Sequence, residues 1–96
     1  MKIVIAADPF AITLRDAIVA HPEKNGHEVI DYGANKENPD VAYFDSCVKA
    51  CEALQNGEGE RGILLCGTGM GMNVIANRFQ GTSAGAVENV FAAKMC

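Results

Sequence analysis

Short apolar runs alternate with helix-length amphipathic stretches along this chain. "KIVIAA" (2–7) is rich in β-branched residues and stops at Asp8-Pro9, the pattern of a strand buried on both faces and its exit loop. Apolar residues at Phe10, Leu14, Ala17 and Ile18 predict an amphipathic helix over 10–20, ended by His21-Pro22 and Asn25-Gly26. "HEVIDYG" (27–33) predicts a second strand, and the polar, turn-rich "ANKENPD" (34–40) a surface loop. A helix is expected from about Tyr43 to Gln55, broken by "NGEGE". "RGILLCG" (61–67) is the most apolar strand, "GMNVIANRF" (71–79) a helix, "TSAGAV" (82–87) a weaker fourth strand, and "ENVFAAKMC" (88–96) the start of a last helix.

Strand and helix repeated in this way with short links predict an α/β fold: a Rossmann-like three-layer α-β-α sandwich around a parallel, doubly wound sheet of four strands. Ligands of such sheets sit beyond the carboxyl ends of the strands, where the chain order reverses. That places Asp8, the loop after Gly33 and the 66–71 loop on one rim. Residues 1–96 carry no repeat, low-complexity tract or internal boundary, so they form a single domain.

Composition narrows the function. A net charge of −4, with eight Lys and Arg scattered along the chain, leaves no basic block to neutralise nucleic-acid phosphates or dock on an anionic membrane. No apolar run approaches the about 18 residues of a membrane span, and Asp8 interrupts the N-terminal run too early for a signal peptide. A cytoplasmic setting is expected. Cys47, Cys51, Cys66 and Cys96 match no paired zinc spacing, so free thiols in a reducing compartment are the simplest reading. Cys47 and Cys51 share a helix face, but nothing nearby completes a metal site; they read as small buried residues.

The candidate chemistry lies in "GILLCGTGMGMNVIANRF" (62–79). An apolar strand delivers Cys66, then glycines stand at 67, 69 and 71 before a helix. Backbone amides at such a junction lack helical partners and attract anions. Glycines let a ligand approach the backbone closely, and Thr68 adds a hydroxyl. The result is a hole for a carboxylate, a phosphate or a developing oxyanion. A cysteine at this junction, Cys66, can serve as base or nucleophile. The competing reading is a buried cysteine acting as a small hydrophobe. The loop is not a phosphate-binding Gly-Lys-Ser/Thr loop, and its glycine register fits a dinucleotide fingerprint poorly, which weakens a generic nucleotide- or flavin-binding reading.

This segment resembles the core of the ribose-5-phosphate isomerase type B and galactose-6-phosphate isomerase family. "MKIVIAAD", "GHEVIDYG" and "GTSAGAVENVFAAKM" follow the same family along nearly the whole chain. The resemblance implies aldose–ketose isomerisation of a sugar phosphate through an enediolate, with no metal or organic cofactor. It implies Cys66 as general base, and Thr68 with the loop amides as oxyanion donors. Asp8 would bind substrate hydroxyls, Tyr43, Gly67, Gly69, Gly71 and Asn73 would line the sugar pocket, and Asn77 would shape the loop. It also implies a homodimer or homotetramer of a longer chain, with the site between subunits.

Departures from the family pattern redirect that expectation. The usual Asp-His-Ala-Gly is here Asp8-Pro9-Phe10-Ala11, which removes a phosphate-binding histidine. Asp-Tyr-Pro is Ala42-Tyr43-Phe44, and Asn73 displaces a serine. A sugar phosphate other than ribose 5-phosphate, shorter or branched, is expected; the alternative is a non-catalytic or regulatory paralogous subunit. The resemblance also implies that a fifth strand, terminal helices and phosphate-binding arginines lie beyond residue 96, so the domain reads as C-terminally incomplete. The plainer readings are surface positions for His21, His27 and Arg78, solvated turn charges for Glu58 and Glu60, helix capping for Asp8, and one pocket-facing and one core-facing residue among Met70 and Met72.

Overall fold

The computed structural model describes every residue from Met1 to Cys96. Its centre is a three-stranded parallel sheet in the order β2-β1-β3, built from β1 (Lys2–Ala7), β2 (Glu28–Asp31) and β3 (Arg61–Leu65). Ile5 pairs with Asp31 on one side and Ile63 on the other, and Ala7 with Leu65. The chain runs from β1 outward to β2 and then crosses to the far side of β1 for β3. Its order therefore reverses between the carboxyl ends of β1 and β3.

Central β1 is the most buried element, with Val4, Ile5, Ala6 and Ala7 at most 1% exposed. Successive side chains of a strand point to opposite faces. Val4 and Ala6 pack against Ala50 and Ala53 of α2 (Tyr43–Gln55), with Leu54 and Leu64 alongside. Small residues on this face of α2, which also buries Ser46, Cys47 and Cys51, let the helix lie close to the sheet. Cys47 and Cys51 join Met72 and Ala76 of α3 (Met70–Ala76) in a second cluster on the same side of the sheet. Helix α1 (Ile12–Lys24) covers the other face. A last helix, α4 (Val90–Met95), buries none of its residues.

Three expectations need correction. Residues 82–87 do not form a fourth strand, and the sheet has three. The segment has no regular secondary structure, and the backbone of Ala84 is held by a side chain: Asn77 Nδ2 donates to Ala84 O (3.0 Å), and Ala84 N donates to Asn77 Oδ1 (2.8 Å). Its Thr, Ser, Ala and Gly residues have little surface to bury in exchange for a ladder. The outer edge of β3 is consequently unpaired.

The first helix also differs. Phe10 belongs to a separate 3-10 turn (Pro9–Ala11), and Pro22 lies inside the last turn of α1 instead of ending it. A proline so near the end removes only one late helical bond, and the chain beyond it closes onto His21 O and Pro22 O through Asn25 and His27 N–H. Nor is the 10/14/17/18 stripe the packed face. Phe10 is 91% exposed and Leu14 55%, whereas Ala11, Val19 and Pro22 are buried.

Two features shape the rim at the carboxyl end of β2. Arg15 of α1 donates to Asp31 Oδ2 from Nε (3.1 Å) and Nη2 (2.7 Å), and from Nη1 to Asp16 (2.8 Å). Asp31 also accepts from Gly33 N–H and Asn35 Nδ2, tying α1, β2 and the following loop together. Gly33 lies flat against β1: a Cβ there would stand 2.2 Å from Ala7 N.

Candidate active site

A parallel sheet brings the carboxyl ends of all three strands to one edge. Because β1 and β3 are neighbours, the residues that follow them, Asp8 and Cys66, meet at the point of chain reversal. Asp8 is 5% exposed. Its Oδ1 accepts from Phe10 N–H (2.9 Å) and its Oδ2 from Gly67 N–H (2.8 Å). Expected to meet substrate hydroxyls, this carboxylate has each oxygen engaged by a backbone amide.

Cys66 is half-buried. It packs on the edge of the Cys47–Cys51–Met72–Ala76 cluster and also lines a cavity of ≈ 1110 Å³. Most of that space follows the open edge of β3, between the strand and residues 80–88; at one end it reaches Cys66, Gly67, Thr68, Gly69 and Asn73. Cys66 thus stands at the border between the packed interior and the cavity.

The glycine loop uses its small residues for different reasons. Gly69 has φ +77°, a left-handed conformation that caps α3 and that L side chains rarely adopt. Gly71 leaves room for Tyr43: a Cβ would lie 2.7 Å from the tyrosine ring. Gly67 N–H is taken by Asp8, and Met70 N–H donates to Thr68 Oγ1 (3.2 Å). The Thr68 and Gly69 N–H groups have no protein acceptor. Those two donors and the Thr68 hydroxyl stand within three residues of the Cys66 sulfur along the chain.

The residues expected at the site therefore separate. Cys66, Gly67, Thr68, Gly69 and Asn73 share one wall of the cavity. Tyr43, at the first turn of α2, stacks on Gly71 and meets Phe44 edge-on at 5.4 Å, outside that wall. Asp8 lies beneath the loop. Met70 is 73% exposed and Met72 1%, dividing between surface and core. Asn77 ties its own helix to Ala84 and, through Asn73 O (2.9 Å), to the turn that carries Asn73.

Two features escaped the sequence reading. Phe10, assigned to a helix face, stands exposed at the rim, with its Cβ 3.7 Å from where a Gly67 Cβ would be. The Asp8–Gly67 contact spans 59 positions and has no local signature. Its one available signal was strand order, since adjacent parallel strands bring their exit residues together.

Cys47 and Cys51 lie in the core. Burial, with the neighbouring Cys51 adding to it, pushes the Cys47 thiol up to about 12, and burial also raises Cys51. At pH 8 such a shift leaves on the order of a thousandfold less thiolate than an ordinary cysteine. Iodoacetamide is expected to modify Cys66 and Cys96 in the folded protein, and Cys47 and Cys51 only after denaturation. Mass mapping of the alkylated peptides checks this.

A doubly wound parallel α/β domain with a thiol and a glycine loop at its reversal point is the class that fold and site define. The model of the Ribose/Galactose Isomerase family matches residues 3–96, and the chain belongs to that family. It is 36% identical over 96 residues to a 4-deoxy-4-sulfo-D-erythrose isomerase of Clostridium sp. (strain MSTE9), covering 100% of this chain and 60% of that protein. It is 37% identical over 99 residues to a D-erythrulose-4-phosphate isomerase of Pectobacterium atrosepticum, covering 98% of this chain and 62% of that one. Among solved structures, the ribose-5-phosphate isomerase B of Clostridium thermocellum superposes with a TM-score of 0.89 at 40% identity, over 99% of this chain and 64% of that one. The chain thus spans less than two thirds of the length of each of these relatives. No helix is long and apolar enough to cross a membrane.

Proposed function

We propose that this domain catalyses aldose–ketose isomerisation of a four-carbon sugar phosphate. The Cys66 thiolate removes the proton from the carbon beside the carbonyl. The carbonyl oxygen takes up the electron pair and becomes an enediolate oxygen, which the Thr68 hydroxyl and the free Thr68 and Gly69 amides stabilise. The proton returns to the former carbonyl carbon, and a hydroxyl proton passes between the two oxygens. One carbon is reduced as its neighbour is oxidised, so the step balances within the substrate. Preorganised donors of this kind act where charge develops.

The observation that carries the reading is the position of Cys66: half-buried, lining a cavity, and followed after Gly67 by two backbone donors, Thr68 and Gly69 N–H, that no protein atom uses. Family membership supports the reaction class. The four-carbon choice is supported by two relatives named for sugars of that length with an anionic group on carbon 4, and by Pro9-Phe10 where the family pattern has a phosphate-binding histidine. With the reading go a homodimer or homotetramer of the full-length protein and a cytoplasmic location. The test is solvent deuterium incorporation, followed by NMR, across four- to six-carbon sugar phosphates and a four-carbon 4-sulfo analogue, using the full-length protein. Exchange fastest on a four-carbon substrate supports the proposal; preference for ribose 5-phosphate contradicts the substrate choice.

The second reading is a subunit that binds sugar phosphate without turnover. Pro9, which has no N–H to offer, and the apolar, 91% exposed Phe10 beside the loop favour it. Binding without exchange on any sugar of the panel would select this reading.

A further inference from the structure

Two asparagines one helical turn apart, Asn73 in α3 and Asn77 at its C-terminal cap, form a relay of amide groups that ends at the cavity. Asn77 is oriented by backbone alone. Ala84 N–H can only donate, so the atom 2.8 Å from it is Asn77 Oδ1. Ala84 O can only accept, so the atom 3.0 Å from it is Asn77 Nδ2. The same Nδ2 donates to Asn73 O (2.9 Å) and reaches Asn73 Oδ1 at 3.3 Å. Its second hydrogen is shared between those two oxygens.

This orientation decides that of Asn73. With its amide reversed, Asn73 would set Nδ2 against Asn77 Nδ2, donor against donor. Oδ1 therefore faces Asn77, and Nδ2 is the end left for another partner; no protein acceptor takes it. Asn73 is half-buried and lines the same end of the cavity as Cys66, Thr68 and Gly69. Helical side chains lean toward the helix N-terminus, so Asn73 leans over the turn that begins at Gly69 and Met70.

Isomerisation through an enediolate places charge on two oxygens in turn. The carbonyl oxygen of the aldose becomes a hydroxyl oxygen of the ketose, and the reverse holds for its neighbour. Each is therefore the charged oxygen in one direction of the reaction, and a donor fixed beside each favours both directions. The Thr68 hydroxyl and the Thr68 and Gly69 amides serve one of them. We propose that Asn73 Nδ2 donates to the other, on the adjacent carbon, and that Asn77 is the positioning residue that keeps this donor, and not Oδ1, toward the substrate. The contact rests on the isomerase reading above; the orientation of the two amides does not.

The test compares Asn73→Ala, Asn77→Asp and the double variant in the full-length protein, with a four-carbon ketose 4-phosphate as substrate. Aspartate at 77 still accepts from Ala84 N–H, but its second oxygen offers Asn73 an acceptor. The Asn73 amide then turns over and sets Oδ1 toward the substrate. Loss of one donor to developing charge costs on the order of 10²-fold. Asn73→Ala is expected to lower kcat by about 10–100-fold with KM within about threefold, and Asn77→Asp to lower kcat at least about tenfold. In the double variant kcat should lie within about threefold of that of Asn73→Ala, because Asn77 acts through Asn73; a purely structural loss at 77 would multiply. In the wild type, adding the same sugar phosphate should shift the Asn73 side-chain NH2 resonance in NMR, a readout that needs neither turnover nor a variant that folds. An Asn73→Ala kcat within about threefold of wild type, single losses that multiply in the double variant, or an Asn73 NH2 resonance that stays put while Gly69 N–H moves would each overturn the proposal. A wild type that binds the sugar, moves both resonances and turns nothing over supports the contact and overturns the isomerase reading. A wild type that binds no four-carbon sugar phosphate overturns both.

Discussion

Gly33→Ala is expected to destabilise the domain by about 3–5 kcal/mol, the range of severe packing faults. The added Cβ would stand 2.2 Å from Ala7 N, 2.7 Å from Ala7 O and 2.8 Å from Ala6 Cα. All three are backbone atoms of the central strand, so no side chain can swing aside. The chain around Gly33 cannot lift away without loss either. Tyr32 N–H donates to Ile5 O (2.9 Å) and Ala34 N–H to Ala7 O (2.8 Å), stapling it to β1 on both sides. Gly33 N–H is also held by Asp31, the carboxylate that anchors Arg15. For a domain of this size each kcal/mol lowers Tm by about 4–8 °C, so a drop of at least about 12 °C is expected in a thermal melt followed by circular dichroism. Gly57→Ala is the control. That glycine has φ +75° with no neighbour within 4 Å, so only the backbone conformation resists, at about 1–2 kcal/mol. Equal melting shifts for the two variants would remove the steric explanation.

Much of this fold was legible because its signals are local. β1 reads as an unbroken apolar run since it is buried on both faces, and α2 shows its apolar spacing within 13 residues. Chain direction followed from alternating strands and helices with short links, which made the sheet parallel and put Asp8 and Cys66 on one rim. Contacts decided by distant partners were not legible. Whether 82–87 joins the sheet depends on the partner its backbone finds, and that partner is the Asn77 side chain. The apolar face of α1 was misassigned because two half-apolar faces compete. Ala11, Val19 and Pro22 are buried, whereas Leu14 and Ile18 line the cavity beside the unpaired edge of β3.

The site divides in the same way. Cys66, the glycines and Thr68 are contiguous in the chain, so their meeting was readable. The reason for each glycine was not: Gly69 needs its torsion, and Gly71 yields to a ring from another helix. Asp8 stood out as an acid at a strand end, but its contact with Gly67 exists only once β1 and β3 are side by side.

Deuterium uptake by a four-carbon sugar phosphate in Cys66→Ala, beside wild type, tests the central claim most directly. Of the other thiols, Cys47 and Cys51 are buried with their protons held, and Cys96 is exposed at the end of α4, so no second thiol stands ready to take over. Alanine removes the sulfur while Gly67 N–H keeps its Asp8 partner, so the loop donors remain. A general base contributes about 10²–10⁴-fold, and uptake at the carbon beside the carbonyl is expected to fall by that factor while the melting curve stays near wild type. A folded Cys66→Ala protein that incorporates deuterium within tenfold of the wild-type rate would show that another group takes the proton.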